Sequence, residues 1–478
     1  VIKSVTPTVV SGSTQLSRAA YGATTGDRTA AAPVRIVHIG LGAFARAHQA
    51  WYTSRVDDAN EWGIAAFTGR SAGVADLLTP QDGLFTLLER APDGDRAELI
   101  TSISLAVDGQ RADLMDAHIA SPETAIITMT VTESGYRLLP DGNIDVSDPA
   151  VVADLHALRL PGKPGPLGTA LGRLVRGLAA RRRAGGGALA VVPCDNIPDN
   201  GTYVRTGTIA FAREWDPELA DWIASTVSFV STSVDRITPR ATEEDIRGVE
   251  SSTGWRDAAP VVTEAYSSWT LSGEFPAGRP AWERMGAVFT DEIGPFERRK
   301  LWLLNGAHSI LAHVGPSRGH ETVAAAIADQ HCASAVTDFW DEACRHLPSH
   351  LDLGNYRSSL LARFGNGRIA HHLRQIEAES VAKFRVRIAP VALAELDAGR
   401  TGEACAVALA AWIRAVLSGR PMADARARDI LVARSAQDPC SALITLVSEQ
   451  LSQNTAFVER VRTQVEACAA GEGARREE

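Results

Sequence analysis

The sequence predicts an α/β chain: a parallel-sheet core in the N-terminal part and a mostly α-helical C-terminal domain. Three observations predict it. Short β-branched runs recur through the first half with helical patterns between them, the first run stops at a glycine loop, and beyond residue 295 the strand-like runs give way to helical periodicity.

At 478 residues and 45% hydrophobic content, the chain is too long for one core and apolar enough to build two. Residues 1–33, rich in Thr, Ser, Ala and Gly, read as an extended or loosely helical lead-in. "VRIVHIG", from Val34, is a run that ends at glycine as a buried parallel strand would. Similar runs follow at "GIAAFTG" (63–69), "AIITMTVT" (125–132), "ALAVVPC" (188–194) and "VSFVSTSV" (227–234). Between them, "GTALGRLVRGLAARRRAGGG" (168–187) is the clearest helix, ended by three glycines. Its last-turn arginines are expected to complement the helix dipole and face solvent. The expected boundaries are a nucleotide-type domain over 34–290, a helical domain over 291–468 and a frayed tail over 469–478.

Several function classes are disfavoured. A formal charge of -9 leaves no domain-wide cationic field for nucleic acid or anionic membrane. Six dispersed cysteines with no CxxC pair argue against a structural zinc site or a disulfide framework, and so for a reducing compartment. The first thirty residues hold no signal-peptide pattern, and no window reaches about 18 apolar residues. A cytoplasmic protein acting on a small molecule is expected. The sequence favours neither a monomer nor a homo-oligomer.

After the first run, "GLGAFARAHQAWY" sets Gly40 and Gly42 at the spacing of a dinucleotide fingerprint, with Ala45 at the third small position. The first glycine permits a tight turn and the second lets backbone approach a pyrophosphate, while the opening helix offers unpaired N–H groups. Phe44 and Arg46, in the same loop, join Gly40 and Gly42 as cofactor-binding candidates. An acid at the end of the second strand would take the ribose hydroxyls of NAD. "FTGRS" has Arg70 there instead, which suits a 2'-phosphate or an ordinary loop. NAD(H) is favoured and NADP(H) kept open.

Three polar groups stand among apolar neighbours in "KLWLLNGAHS": Lys300, Asn305 and His308. On a helix of about 100° per residue, Asn305 and His308 lie roughly 140° and 80° from Lys300, within one broad arc. A surface lysine, a capping asparagine and a core histidine would satisfy the same pattern. Just beyond apolar runs, where open parallel sheets bind ligands, stand Glu133, Asp195 with Asn196, and Asp235 with Arg236. Each alone reads as a cap or turn former; beside a nucleotide loop they read as a site. Hydride transfer between a nicotinamide and a secondary alcohol fits them, since it needs a base and donors to the reacting oxygen. No Tyr is followed four residues on by Lys, and no clustered Cys and His suggest a catalytic zinc, so lysine remains as a metal-independent base.

On these residues the chain resembles the polyol-specific long-chain dehydrogenase/reductase family, which includes mannitol 2-dehydrogenase and the hexuronate reductases. The likeness is carried by "IVHIGLGAFARAHQAWY", "QDGLFTLL", "TVTESGY", "VSFVSTSVDRITP", "GRPAWE" and the Lys-x4-Asn-x2-His of "KLWLLNGAH". It implies an N-terminal Rossmann-type domain, a helical C-terminal domain and an active site between them. By the same resemblance Lys300 is the general base, Asn196 and Asn305 polarise the reacting oxygen, and His308 contacts a substrate hydroxyl. Asp235 supports the site and Glu297 passes protons outward; Glu133 is grouped with the cofactor contacts.

The chain departs from the family at Ala45, where histidine is usual, and at Glu379, Ser380 and Val381 ahead of Lys383, where Asp-Gly-Ser is usual. The leading expectation is interconversion of D-mannitol, or a related polyol, with D-fructose. The runner-up, a hexuronate reductase acting on fructuronate or tagaturonate, would use Lys383, Arg374 and Arg387 as cations for the carboxylate. A nucleotide-binding sensor without turnover is the third reading.

Overall fold

The computed structural model describes residues 13–26, 30–69, 71–162, 165–369, 371–421 and 423–476. It divides into two compact units, Val1–Gly294 and Pro295–Glu478.

The first unit is built on six parallel strands: β1 (Val34–Ile39), β2 (Gly63–Phe67), β3 (Ile103–Val107), β4 (Ile126–Met129), β5 (Leu189–Pro193) and β6 (Val227–Phe229). Their spatial order is β3-β2-β1-β4-β5-β6, the doubly wound order of a dinucleotide-binding sheet. Alternate residues feed two separate cores. Val37, Ile39, Phe67, Ile127 and Val191 pack to one side, against Met115, Ile119, Leu174, Leu178 and Phe211 of α1 (Ala112–Ala120), α2 (Ala170–Arg183) and α3 (Asn200–Trp215). Ile36, Ile64, Ala66, Ile126 and Val192 pack to the other, against Trp51, Tyr52, Phe85, Trp269 and Trp282. A strand buried on both faces therefore reads as an unbroken apolar run. Each fully buried large side chain contributes about 1.5–3 kcal/mol.

Four details add to or depart from the sequence expectations. The run at 227–234 is two strands: β6 ends at Phe229, and Ser231–Asp235 leaves the sheet to pair antiparallel with Ser268–Ser272. The lead-in is partly anchored: Thr14–Gln15 pairs with Trp255–Arg256, Leu16 is fully buried, and Arg18 donates to the carbonyls of Asp82, Thr101 and Ile103. Arg181 does not face solvent: 1% exposed, it donates to the carbonyls of Ile119, Ser121, Gly187 and Ala188. The tail expected to fray is helical through Arg476, in the helix Thr455–Arg476.

The second unit is helical. Its centre is a π-helical turn, Lys300–Gly306, running into α4 (Ala307–Val314), on which α5 (Gln330–Cys344), α6 (Ser380–Arg387) and α7 (Glu403–Leu417) pack. No helix among the described residues is long and apolar enough to cross a membrane. The five described cysteines are unpaired.

Candidate active site

In the first unit, the turn after β1 shows why glycine stands at 40. Gly40 has φ +107°, and a Cβ there would lie 2.0 Å from the Thr130 carbonyl oxygen. The N–H groups of Gly40 and Leu41 both donate to the Phe67 carbonyl, at 2.9 and 2.8 Å. At Gly42 the chain itself excludes nothing, since a Cβ would meet only the Gly40 oxygen at 3.7 Å. The turn opens on a cleft of about 270 Å³ lined by Gly40, Gly69, Thr130, Val131, Arg137 and Arg173, at the carboxyl ends of β1, β2 and β4.

The other loop candidates divide. Phe44 is half-buried and stacks on His48, ring centroids 5.1 Å apart. Arg46 is buried: 6% exposed, it donates to the carbonyls of Ala259 and Gly42 and packs on the Phe85 ring, so its side chain braces the loop from within. Burial lowers its pKa to about 10, which leaves it cationic at neutral pH. Glu133 is exposed on a short turn after β4 and does not line the cleft, although Gly135 of the same turn does. Arg70 lies outside the described residues.

At the end of β5, Asp195 braces the neighbouring loop by accepting from the N–H groups of Val131 (3.0 Å) and Thr132 (2.8 Å) and from the Tyr136 hydroxyl (2.7 Å). Burial pushes its carboxyl up. Asn196, next to it, is exposed at the strand end. Asn200 locks this end to the departing strand, donating to the carbonyls of Asp195 and Thr232 and accepting from the Thr232 N–H. Asp235, half-buried, is the last residue of that strand. Its neighbour Arg236 is buried and structural, bonded to the carbonyls of Ala47 and Glu264 and 4.3 Å over the Trp51 ring.

In the second unit, the assumption of a regular α-helix over 300–309 is corrected. Lys300 to Gly306 is π-helical, with i→i+5 bonding, so the angles of a regular α-helix do not apply between Lys300 and Asn305, which share this one wider turn. Glu297 lies three residues before Lys300, half-buried on Gly294–Arg299. His308 lies 5.0 Å from the Phe364 ring and 4.9 Å from His371, centroid to centroid. Burial, then the charges of His371, Arg363, Arg387 and Lys383, hold it well below the usual histidine pKa, so it is neutral near pH 7.

Lys383 donates to the Ile376 carbonyl (2.7 Å), and Arg387 to the Asn305 carbonyl (3.2 Å) and the Ser309 hydroxyl (3.0 Å). Arg374 does not join this group: it is exposed and lines a groove with His320, Glu321 and Arg420. The departure at 379–381 is built into the fold. Glu379 has φ +55° and accepts from the Ala425 N–H, Ser380 bonds His313 and the Glu377 carbonyl, and the Val381 N–H donates to Asp424.

Folding also assembles a Cys/His/Asp group that the linear spacing conceals: His320, Asp329 and Cys332 have ligand atoms within 4.8 Å of one another. Asp329 is already occupied, accepting from Arg318 (2.8 Å), from His320 (3.1 Å), and from the N–H groups of His331 and Cys332 as a helix cap. Sequence reasoning also missed Thr130, Tyr136 and Asn200, which shape the strand ends. Polar residues at the ends of apolar runs were the available signal.

The sequence matches the profile of the mannitol dehydrogenase Rossmann domain over residues 34–284 and that of the mannitol dehydrogenase C-terminal domain over 292–469. It is 37% identical over 404 residues to D-arabinitol 4-dehydrogenase of Ralstonia nicotianae, covering 82% of this chain and 84% of that one. D-mannonate oxidoreductase of Escherichia coli is 33% identical over 393 residues, covering 80% and 79%. The fold matches mannitol 2-dehydrogenase of Pseudomonas fluorescens, solved as a ternary complex with NAD and D-mannitol, with a TM-score of 0.74, 31% identity, and coverage of 92% of this chain and 93% of that one. With both of its parts matched over nearly their whole length, this chain belongs to the mannitol dehydrogenase family of oxidoreductases.

Proposed function

We propose that the protein uses NAD(H), with NADP(H) as the alternative, to interconvert a secondary alcohol of D-mannitol or a related polyol with the 2-ketose, D-fructose. One observation carries the reading: Lys300 and Asn305 lie on one π-helical turn, and the neutral imidazole of His308 follows at the start of α4.

The bound nicotinamide supplies the hydride acceptor. As hydride leaves the carbinol carbon, the hydroxyl proton must leave too, and Lys300 in its amine form takes it. The side-chain amides of Asn305 and Asn196 donate to the reacting oxygen and offset the negative charge that develops there. His308 contacts a neighbouring hydroxyl as donor or acceptor without bringing charge, Asp235 supports the site, and Glu297 carries the proton outward. With lysine as base, the proton transfer needs no metal. For the cofactor, the room left at Gly42, which a Cβ would fill, suits close approach of a pyrophosphate to the backbone after Gly40.

A second reading, reduction of a hexuronate such as fructuronate, is favoured by the positive surroundings of His308. Lys383, Arg387 and Arg363 all bear on it, and their field would also attract a carboxylate. The relative named D-mannonate oxidoreductase points the same way.

The test is initial rates of NADH and NADPH oxidation with D-fructose and D-fructuronate in parallel at neutral pH. Turnover of fructose supports the first reading, and turnover of fructuronate alone replaces it with the second. Dinucleotide binding with turnover of neither, or of any polyol or ketose in a broad panel, leaves a sensor.

A further inference from the structure

A histidine stands in the middle of the sheet. His38 lies on β1, between core residues Val37 and Ile39, and is 2% exposed. A polar ring in a strand covered on both faces costs stability unless both nitrogens are bonded. Both are: Nδ1 is 2.8 Å from the Thr128 hydroxyl and Nε2 is 3.1 Å from the Thr130 hydroxyl, each on the adjacent strand end.

The direction of the chain follows from counting hydrogens. The Thr130 hydroxyl donates its single hydrogen to the Gly40 carbonyl at 2.9 Å, so toward His38 it can only accept. Nε2 therefore carries the proton. A neutral ring then has Nδ1 free to accept, and the Thr128 hydroxyl donates to it. The sequence of bonds runs Thr128 to His38 to Thr130 to Gly40, and it uses both ring nitrogens and both hydroxyl hydrogens. Burial holds His38 at about pKa 4, against the weaker pull of the Gly40 main chain, so the neutral form this arrangement needs prevails near pH 7.

The last link is the nucleotide turn. Gly40 and Thr130 both line the 270 Å³ cleft, and the absent Cβ of Gly40 is what lets the turn sit on Thr130. We infer that His38 is a positioning residue for the dinucleotide: acting through Thr130, it fixes the Gly40 carbonyl and hence the orientation of the peptide groups that meet the pyrophosphate. The inference rests on the reading of this cleft as the dinucleotide site.

Three variants test it. Thr130→Val removes the hydroxyl and keeps the shape; His38→Asn loses the donor that reaches Thr130; His38→Gln places an amide N–H near the position of Nε2. The readouts are the NADH dissociation constant from tryptophan quenching, the thermal unfolding midpoint, and KM for the sugar at saturating NADH. One lost hydrogen bond in the relay should weaken NADH binding about tenfold in Thr130→Val and His38→Asn, with His38→Gln within about threefold of the parent and sugar KM unchanged.

Parent-like NADH affinity in a cooperatively folded Thr130→Val overturns the inference. So does a parallel rise of NADH Kd and sugar KM that tracks lost thermal stability, since that is the mark of a general structural role. Failure of the parent protein to bind either dinucleotide overturns the cofactor reading and this inference with it; tight parental binding with unmoved variants overturns this inference alone.

Discussion

The Arg387 guanidinium donates to the main-chain carbonyl of Asn305 at 3.2 Å, and through the same nitrogen to the Ser309 hydroxyl at 3.0 Å. It thus holds the π-helical turn to α6. Although burial lowers its pKa to about 10, it stays cationic at neutral pH, and hydrogen bonds from a charged donor contribute roughly 1.5–3 kcal/mol. Arg387→Met keeps most of the side-chain volume and removes the donor. We expect kcat to fall about 10- to 100-fold through misplacement of Asn305, with a lower unfolding midpoint. Parent-like steady-state kinetics would show that the turn holds its shape unaided.

Lys300→Ala tests the proposed base. Removing a general base costs about 10²- to 10⁴-fold in rate. We expect a loss of that size in kcat for both oxidation and reduction, with NADH affinity unchanged, because Lys300 is assigned to the alcohol and not to the dinucleotide. Stopped-flow single turnovers with bound NADH check this, and a variant that keeps the parent's hydride-transfer rate would remove Lys300 from the role.

Gly40 and Gly42 should fail in different ways when changed to alanine. At Gly40 the new Cβ meets the Thr130 carbonyl at 2.0 Å on a backbone with φ +107°, so Gly40→Ala should destabilise the first unit by a few kcal/mol or prevent its folding. At Gly42 the nearest atom is 3.7 Å away, so Gly42→Ala should fold with a parent-like unfolding midpoint and lose dinucleotide affinity. Thermal unfolding and NADH titration of the two variants separate the effects. A Gly42→Ala protein that binds NADH as the parent does would show that the pyrophosphate lies elsewhere.

Five of the six sheet strands were legible because a strand buried on both faces has no polar side to interrupt it, as "VRIVHIG" and "ALAVVPC" show. Ile103–Val107 escaped notice because it is an edge strand with Leu105 42% exposed, so its pattern is diluted. Lys300, Asn305 and His308 stood out by residue type and spacing, but their angular relation did not, since a π-helical turn comes from packing that no local propensity encodes. Arg181 misled for a related reason. Three arginines in a last helical turn look alike in sequence, and only the chain folded around Gly186–Gly187 decides which one is enclosed.

That enclosure makes Arg181 a sharp stability test. Its guanidinium satisfies the carbonyls of Ile119, Ser121, Gly187 and Ala188. Arg181→Met would leave several of these without a donor, each costing about 1–3 kcal/mol if it stays dry. We expect the urea midpoint of the first unit to fall sharply, while Arg182→Met, which loses only surface pairs with Asp216 and Glu218, moves it little. Equal effects of the two variants would contradict the burial of Arg181.

Acid should weaken both units through buried histidines. His38 in the first unit is lowered from 6.5 to about 4, and His313 in the second from 6.5 to about 3, each mainly by burial. A histidine kept neutral when folded binds fewer protons than when unfolded, so stability rises with pH across the interval between the two pKa values. The contribution is complete above about pH 6.5 and is lost progressively as pH falls toward the folded-state values; for His38 alone, a drop from 6.5 to about 4 corresponds to roughly 3 kcal/mol. Urea unfolding at pH 7 and pH 5 should therefore give a lower midpoint at pH 5 for each unit. In His38→Gln the loss should shrink for the first unit and persist for the second, where His313 still titrates. An unchanged midpoint between pH 7 and pH 5 in the parent would mean that these rings are not held neutral by burial.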